Sequence, residues 1–191
     1  MNIFIAGSRA ISKLNKIVED KLYGIYERKY TVLVGDANGV DKAVQKYFSE
    51  LNYANVIVYA SNGKARNNLG NWQIKSIPVS ENIKGFDFYA EKDKAMANSA
   101  DYGFMVWDGK SKGTLNNIVN LLNKSKKTLV FFSPENLLKY IDCFEKLEDV
   151  LQLCNNNTKE LFVKMPCNMV FTDIHMYTHT QESLFENKNF I

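Results

Sequence analysis

The segment Thr31-Val32-Leu33-Val34 is nearly unbroken in apolar side chains and stops abruptly at Gly35-Asp36-Ala37-Asn38-Gly39. A strand turns successive side chains to opposite faces, so a strand without polar alternation predicts cover on both faces of its sheet. The segments around it repeat the same unit. Ile3 to Ala6 is a β-favouring run ended by Gly7-Ser8-Arg9, and between residues 11 and 28 Leu14, Ile17, Val18, Leu22 and Ile25 recur at helical spacing. Val40 to Leu51 has the same helical period, Val56 to Tyr59 reads as a third strand, and Tyr102 to Trp107 and Thr128 to Phe132 as a fourth and fifth. Helices are predicted over 86–100 and 114–123. Strands alternating with helices imply a parallel sheet with right-handed crossovers. The predicted fold is therefore α/β, a Rossmann-like doubly wound parallel sheet of about five strands in the order 3-2-1-4-5, with a C-terminal helical extension. In that order the first and fourth strands are neighbours, and the crevice at their carboxyl ends is where open α/β sheets bind ligands.

The rest of the chain reads differently. Residues 61–85 break the rhythm with a polar, irregular stretch, as functional loops do. Leu137, Leu138, Ile141, Phe144, Leu147, Val150, Leu151 and Leu153 have the spacing of one amphipathic helix over 135–153, followed by a break at Asn155-Asn156-Asn157. One or two short strands are predicted within 161–171. The division expected is a ligand-binding domain over 1–134 and a C-terminal helix and tail over 135–191.

With 191 residues, 46% apolar and 24% charged, the chain has the composition of an ordinary globular protein, not of a disordered, collagen-like or membrane protein. The net charge is only +3, which argues against nucleic acid as a partner. The charge is uneven, with 19 basic and 12 acidic residues in 1–134 against 5 and 9 in 135–191. The basic excess fits either a solvated surface or an anionic small ligand. Cys143, Cys154 and Cys167 are odd in number and lack metal-ligand spacing. With no apolar run long enough for a signal peptide or a membrane span, the prediction is a cytoplasmic protein that meets no membrane.

Three strand-ending loops carry the chemistry. Gly7-Ser8-Arg9 offers amides, a hydroxyl and a guanidinium suited to phosphate, or an ordinary turn. Gly35 to Asp41 is a turn framed by Gly35 and Gly39 that enters a helix. Asp41 in its first turn either stabilises the helix dipole or meets a ribose or base, and Asp36 is a turn former or a ligand contact. Asp108 to Thr114 contains Gly109, Gly113 and Thr114, which suit anion capture or simple capping, but it lacks the Gly-x-x-x-x-Gly-Lys-Ser/Thr spacing of an ATPase loop. In the irregular stretch, Arg66, Asn67 and Trp72 could hydrogen-bond and stack a base, or anchor a surface loop. Lys92 and Asp93 sit on the helix before the fourth strand. His175 and His179 are four apart, yet Met176 stands where the zinc-protease pattern needs glutamate, so no metal site and no cofactor are predicted.

Gly7-Ser8-Arg9, Gly35 to Asp41, and Ala100 to Trp107 leading into Gly113-Thr114 together resemble the SLOG superfamily of Rossmann-like proteins over residues 1–134. Its members include DNA-processing proteins and the nucleotide phosphoribohydrolases. The resemblance implies a nucleotide or nucleotide derivative above the strand ends, phosphate on the first loop and Gly113-Thr114, and pairing into homodimers. It also implies an arginine on the helix before the fourth strand and a glutamate three residues after Gly-Thr in the hydrolases. Lys92 and Asn117 stand nearest those places here. A neutral amide neither attacks an anomeric carbon nor stabilises an oxocarbenium ion, so glycosidase chemistry would fall to Asp93, Asp41 or Asp108, the first two being the leading candidates. The leading expectation is thus a sensor, carrier or sequestering protein for a nucleotide-derived ligand. The alternatives are an N-glycosidase or phosphoribohydrolase, and a single-stranded DNA-binding protein.

Overall fold

The computed structural model describes residues 1–166. Seven strands form one sheet: β1 (Asn2–Gly7), β2 (Thr31–Gly35), β3 (Val56–Ser61), β4 (Gln73–Ile77), β5 (Tyr102–Trp107), β6 (Thr128–Phe132) and β7 (Leu137–Ile141), in the order β4-β3-β2-β1-β5-β6-β7. All neighbours are parallel except β6 and β7. The five predicted strands occupy the centre in the predicted order, and one further strand joins each edge. Six helices cover the faces: α1 (Lys16–Glu27), α2 (Val40–Glu50), α3 (Gly85–Ser99), α4 (Lys112–Leu122), α5 (Phe144–Gln152) and α6 (Asn156–Val163).

The strand pleat divides the core in two. Ile3 and Ile5 of β1 pack with Val18, Leu22 and Ile25 of α1 and with Val40, Val44 and Phe48 of α2. Phe4 and Ala6 point the other way, into a core shared with Met96 of α3, Leu115 and Ile118 of α4, Leu147 and Leu151 of α5 and Phe162 of α6. The unbroken apolar run of β2 is needed for this reason: Val32 and Val34 serve one core and Leu33 the other.

The structure departs from the sequence reading at both edges. Residues 135–153 form a strand and a helix rather than one helix. Pro134 lies in a single 3-10 turn, and Asn136 then takes a left-handed φ of 52°, which turns the chain back along β6. Leu138 packs towards one core and Ile141 into the other, as a pleated strand allows. The helical period resumes only at Phe144. Gln73 to Ile77 is an edge strand whose residues are mostly exposed on both faces, so it carries no apolar signature. Asn155, in the asparagine break, caps α6 by accepting from the Thr158 N–H at 3.0 Å. Residues 161–163, where strands were expected, end that helix, residues 164–166 leave it without forming a strand, and residues 167–171, like His175 and His179, lie outside the described residues. No helix of the described residues is long and apolar enough to cross a membrane.

Leu147 is fully buried where α5 meets the core. Leu147→Ala is expected to cost about 2–5 kcal/mol in urea unfolding, the range for cavity formation in a packed core.

Candidate nucleotide-binding cleft

β1 and β5 end side by side, with Gly7 opposite Val106, and the loops that leave them are fastened together. The Ser8 N–H donates to the Val106 carbonyl at 3.0 Å, and its hydroxyl donates to Asp108 Oδ2 at 2.6 Å. The other Asp108 oxygen accepts from the N–H groups of Lys110 (3.0 Å) and Ser111 (2.8 Å). Burial pushes the Asp108 carboxyl up, but the Ser8 hydroxyl and these amides outweigh it and hold the group below the usual carboxylate range. Gly39, at φ 80°, completes the joint: a side chain there would collide with the Arg9 backbone. The same closeness lets Ser8 O accept from the Val40 N–H at 3.2 Å. The first amide of α2 is therefore occupied, whereas α4, like the first turn of α3, opens into the cleft by its N-terminus. In α4 Ser111 caps Thr114, nothing would crowd a side chain at Gly113, and the Lys112 and Gly113 N–H groups have no acceptor among the described residues.

The cleft between these loops encloses about 610 Å³. Its floor is charged and buried. Lys92, 4% exposed, pairs with Asp93 at 2.7 Å. Any side chain at Gly35 would overlap the Asp41 carboxylate and the Lys92 ammonium, so glycine makes room for both. Burial opposes the Lys92 charge, yet Asp93 and Asp41 hold its pKa above the ordinary lysine value. Asp41 is pushed up to about 6 by burial, against the pull of Lys92, and its Oδ2 accepts from the Ala37 N–H at 3.2 Å. Asn117, 4% exposed, also lines the cleft, and its Oδ1 has no hydrogen-bond partner among the described residues.

The rim is basic and aromatic. The Arg66 guanidinium lies 4.5 Å and the Arg9 guanidinium 5.2 Å from the centre of the Tyr89 ring, while Lys112 Nζ sits 4.3 Å from that of Phe86. Tyr89 and Phe86 occupy one face of the first turns of α3, and the sequence reading missed them. Their spacing of three residues on a helix beside the irregular stretch was the available signal.

Of the sequence candidates, the cleft brings together Gly7, Ser8 and Arg9 from the first loop, Gly113, Thr114 and Asn117 from α4, and Asp41, Lys92 and Asp93. The others serve the framework. Asp36 takes both Nε (2.9 Å) and Nη2 (2.7 Å) of Arg66 as well as its backbone N–H, which ties the irregular stretch to the β2–α2 turn. Burial would raise the Asp36 carboxyl, but Arg66 holds it low. Asn67 donates to the Asp36 carbonyl at 2.8 Å. Trp72 lies away from the cleft, donating to the Tyr53 carbonyl at 2.7 Å and packing in the α1–α2 core, so its indole anchors the stretch. Gly109 takes φ 70° with Phe132 behind it, and its carbonyl accepts from the Thr158 hydroxyl of α6 at 2.8 Å.

No protein-family model matches the chain, and no curated protein matches it. A solved structure does: DNA processing protein A from Helicobacter pylori, described for its single-stranded DNA binding mode, is 14% identical over 85% of this chain and 79% of that chain, with a TM-score of 0.56. The two proteins share a fold. This overturns the exclusion of nucleic acid on charge grounds, because a protein of the same architecture binds single-stranded DNA. The net charge of +3 averages a basic first part with an acidic second part and so says nothing of where cations cluster on the surface.

The raised Asp41 pKa means that the folded chain holds a proton which the unfolded chain releases near its ordinary value of 3.8. The stability contribution of Asp41 is therefore present below that value and lost as pH rises to about 6. Relative to Asp41→Asn, the natural protein is expected to lose about 2–3 kcal/mol across this window, read from urea unfolding of both proteins at a series of pH values.

Proposed function

We propose that the protein binds single-stranded nucleic acid by taking one nucleotide unit into the cleft. The observation that carries this reading is the rim: Arg9 set against the ring of Tyr89 and Lys112 against that of Phe86. Unpaired bases stack on such rings whatever their identity, and cations beside them track the backbone phosphates. Arg9, Lys110, Lys112 and the Gly113 N–H hold the phosphate, and Tyr89 or Phe86 takes the base. The shared fold with a protein described for its single-stranded DNA binding supports the reading. Residues 1–134 form the proposed binding unit, since none of the described residues after 134 lines the cleft. On the sequence grounds given above, the proposed setting is the cytoplasm.

A second reading, a sensor or carrier of a free nucleotide derivative, is favoured by the size of the cleft, which falls within the range of small-ligand sites. Cleavage of a glycosidic bond is the weaker chemistry. Asn117 supplies no carboxylate, Asp93 is engaged by Lys92, and Asp41 is withdrawn from solvent.

Fluorescence anisotropy with a labelled thymidine dodecamer tests the proposal. The single strand is expected to bind at least about tenfold more tightly than the corresponding duplex, whose base faces are already stacked. Arg9→Ala and Lys112→Ala should each weaken binding by roughly tenfold and flatten its salt dependence by about one phosphate contact. Binding of thymidine monophosphate but not of the strand would establish the second reading instead. Mass analysis of the recovered nucleotide, unchanged or split into base and sugar phosphate, checks the glycosidase chemistry in the same tubes.

A further inference from the structure

The cleft is polarised from mouth to floor. Exposed Arg9, Lys110 and Lys112, with the amide end of α4, make the mouth cationic. The floor places two carboxylates, Asp41 and Asp93, around the single ammonium of Lys92, which leaves one negative charge in excess when all three are ionised. Asn117 lines the same cleft, buried and with its amide oxygen unpartnered among the described residues, so the cleft holds hydrogen-bonding capacity that none of them meets.

A nucleotide is polarised in the same sense. Its 5′ side bears a phosphate, and its 3′ side, if the strand ends there, bears a hydroxyl that can donate. With the phosphate at the mouth, the 3′ position reaches towards Asp93 and Asn117. A hydroxyl supplies a donor to these acceptors. A phosphate in the same place would bring one or two negative charges against the surplus carboxylate in a buried setting, where like charges repel most strongly. Nucleotides inside a strand carry a phosphate on both sides and meet that repulsion. We infer that the cleft recognises the 3′-hydroxyl end of a single strand, with the last nucleotide inserted, its 5′-phosphate at the rim and its 3′-hydroxyl on the floor. This rests on the nucleotide-binding reading above and narrows it to a strand terminus.

The test compares three thymidine dodecamers on the unaltered protein: linear with a 3′-hydroxyl, linear with a 3′-phosphate, and a covalently closed circle. The first is expected to bind at least about tenfold more tightly than the other two, the order expected of a charge-repelling floor. A 5′-phosphate on the linear strand is expected to change little, since that end lies eleven nucleotides away. Equal affinity for circle and linear strand overturns the inference and leaves single-strand binding standing, whereas absence of binding by every strand overturns both. Thymidine 5′-monophosphate that displaces the strand, where thymidine 3′,5′-bisphosphate does not, supports the same polarity with a free nucleotide as the source. Asp93→Asn should narrow the gap between the 3′-hydroxyl and 3′-phosphate strands. The strand comparison decides the matter without that variant if it fails to fold.

Discussion

The short hydrogen bond from Ser8 to Asp108 is the joint on which the cleft depends. Two parallel strands that end together send their chains to opposite faces of the sheet, and the loops would otherwise part at the point where a ligand enters. Asp108 prevents this by accepting from Ser8 with one oxygen and from two amides of its own loop with the other. It thereby fixes where α4 begins and where its unoccupied N–H groups point. Ser8 is 2% exposed and its hydroxyl is committed to this joint, so its place in the loop is architectural, and Arg9 beside it is the exposed side chain that this loop turns to the cleft.

The buried charges form a second layer behind that joint. Lys92 of α3 pairs with its neighbour Asp93 and sits across Gly35 from the Asp41 carboxylate, so charges of α2 and α3 meet at the end of β2. Leaving any one of these groups unpaired would be costly, because a buried charge retains little solvation. Asp36 and Arg66 extend the network outward to the irregular stretch. Arg66 in turn lies against Tyr89, so the posture of an aromatic at the mouth is linked to a carboxylate at the end of β2. The polarity of the cleft thus follows from how the framework balances its own charges.

Much of this was legible from the residues. The five central strands announced themselves because burial on both faces requires continuous apolar runs, and their order matches the doubly wound arrangement assumed for them, although crossover handedness alone does not fix it. The edge strands did not. Gln73 to Ile77 has few buried side chains to reveal a period, and Leu137, Leu138 and Ile141 fit a helical spacing as well as a strand that feeds two cores. The loops after β1 and β5 were found because glycine and small polar residues mark strand ends near a crevice. Trp72 and Arg66 were misleading for one reason: an indole and a guanidinium suit a ligand and a framework equally, and only the positions of Tyr53 and Asp36 decide which they serve. Phe86 and Tyr89 went unseen because aromatic residues in a helix usually signal core.

The hydrogen bond from the Thr158 hydroxyl to the Gly109 carbonyl joins the last described helix to the loop that shapes the mouth. Thr158 is 2% exposed and also bonds the Asn155 cap, so α6 meets that loop through a buried, oriented contact. A ligand that bound the loop only in this form would, by linkage, tighten the hold on the helix by an equal free energy.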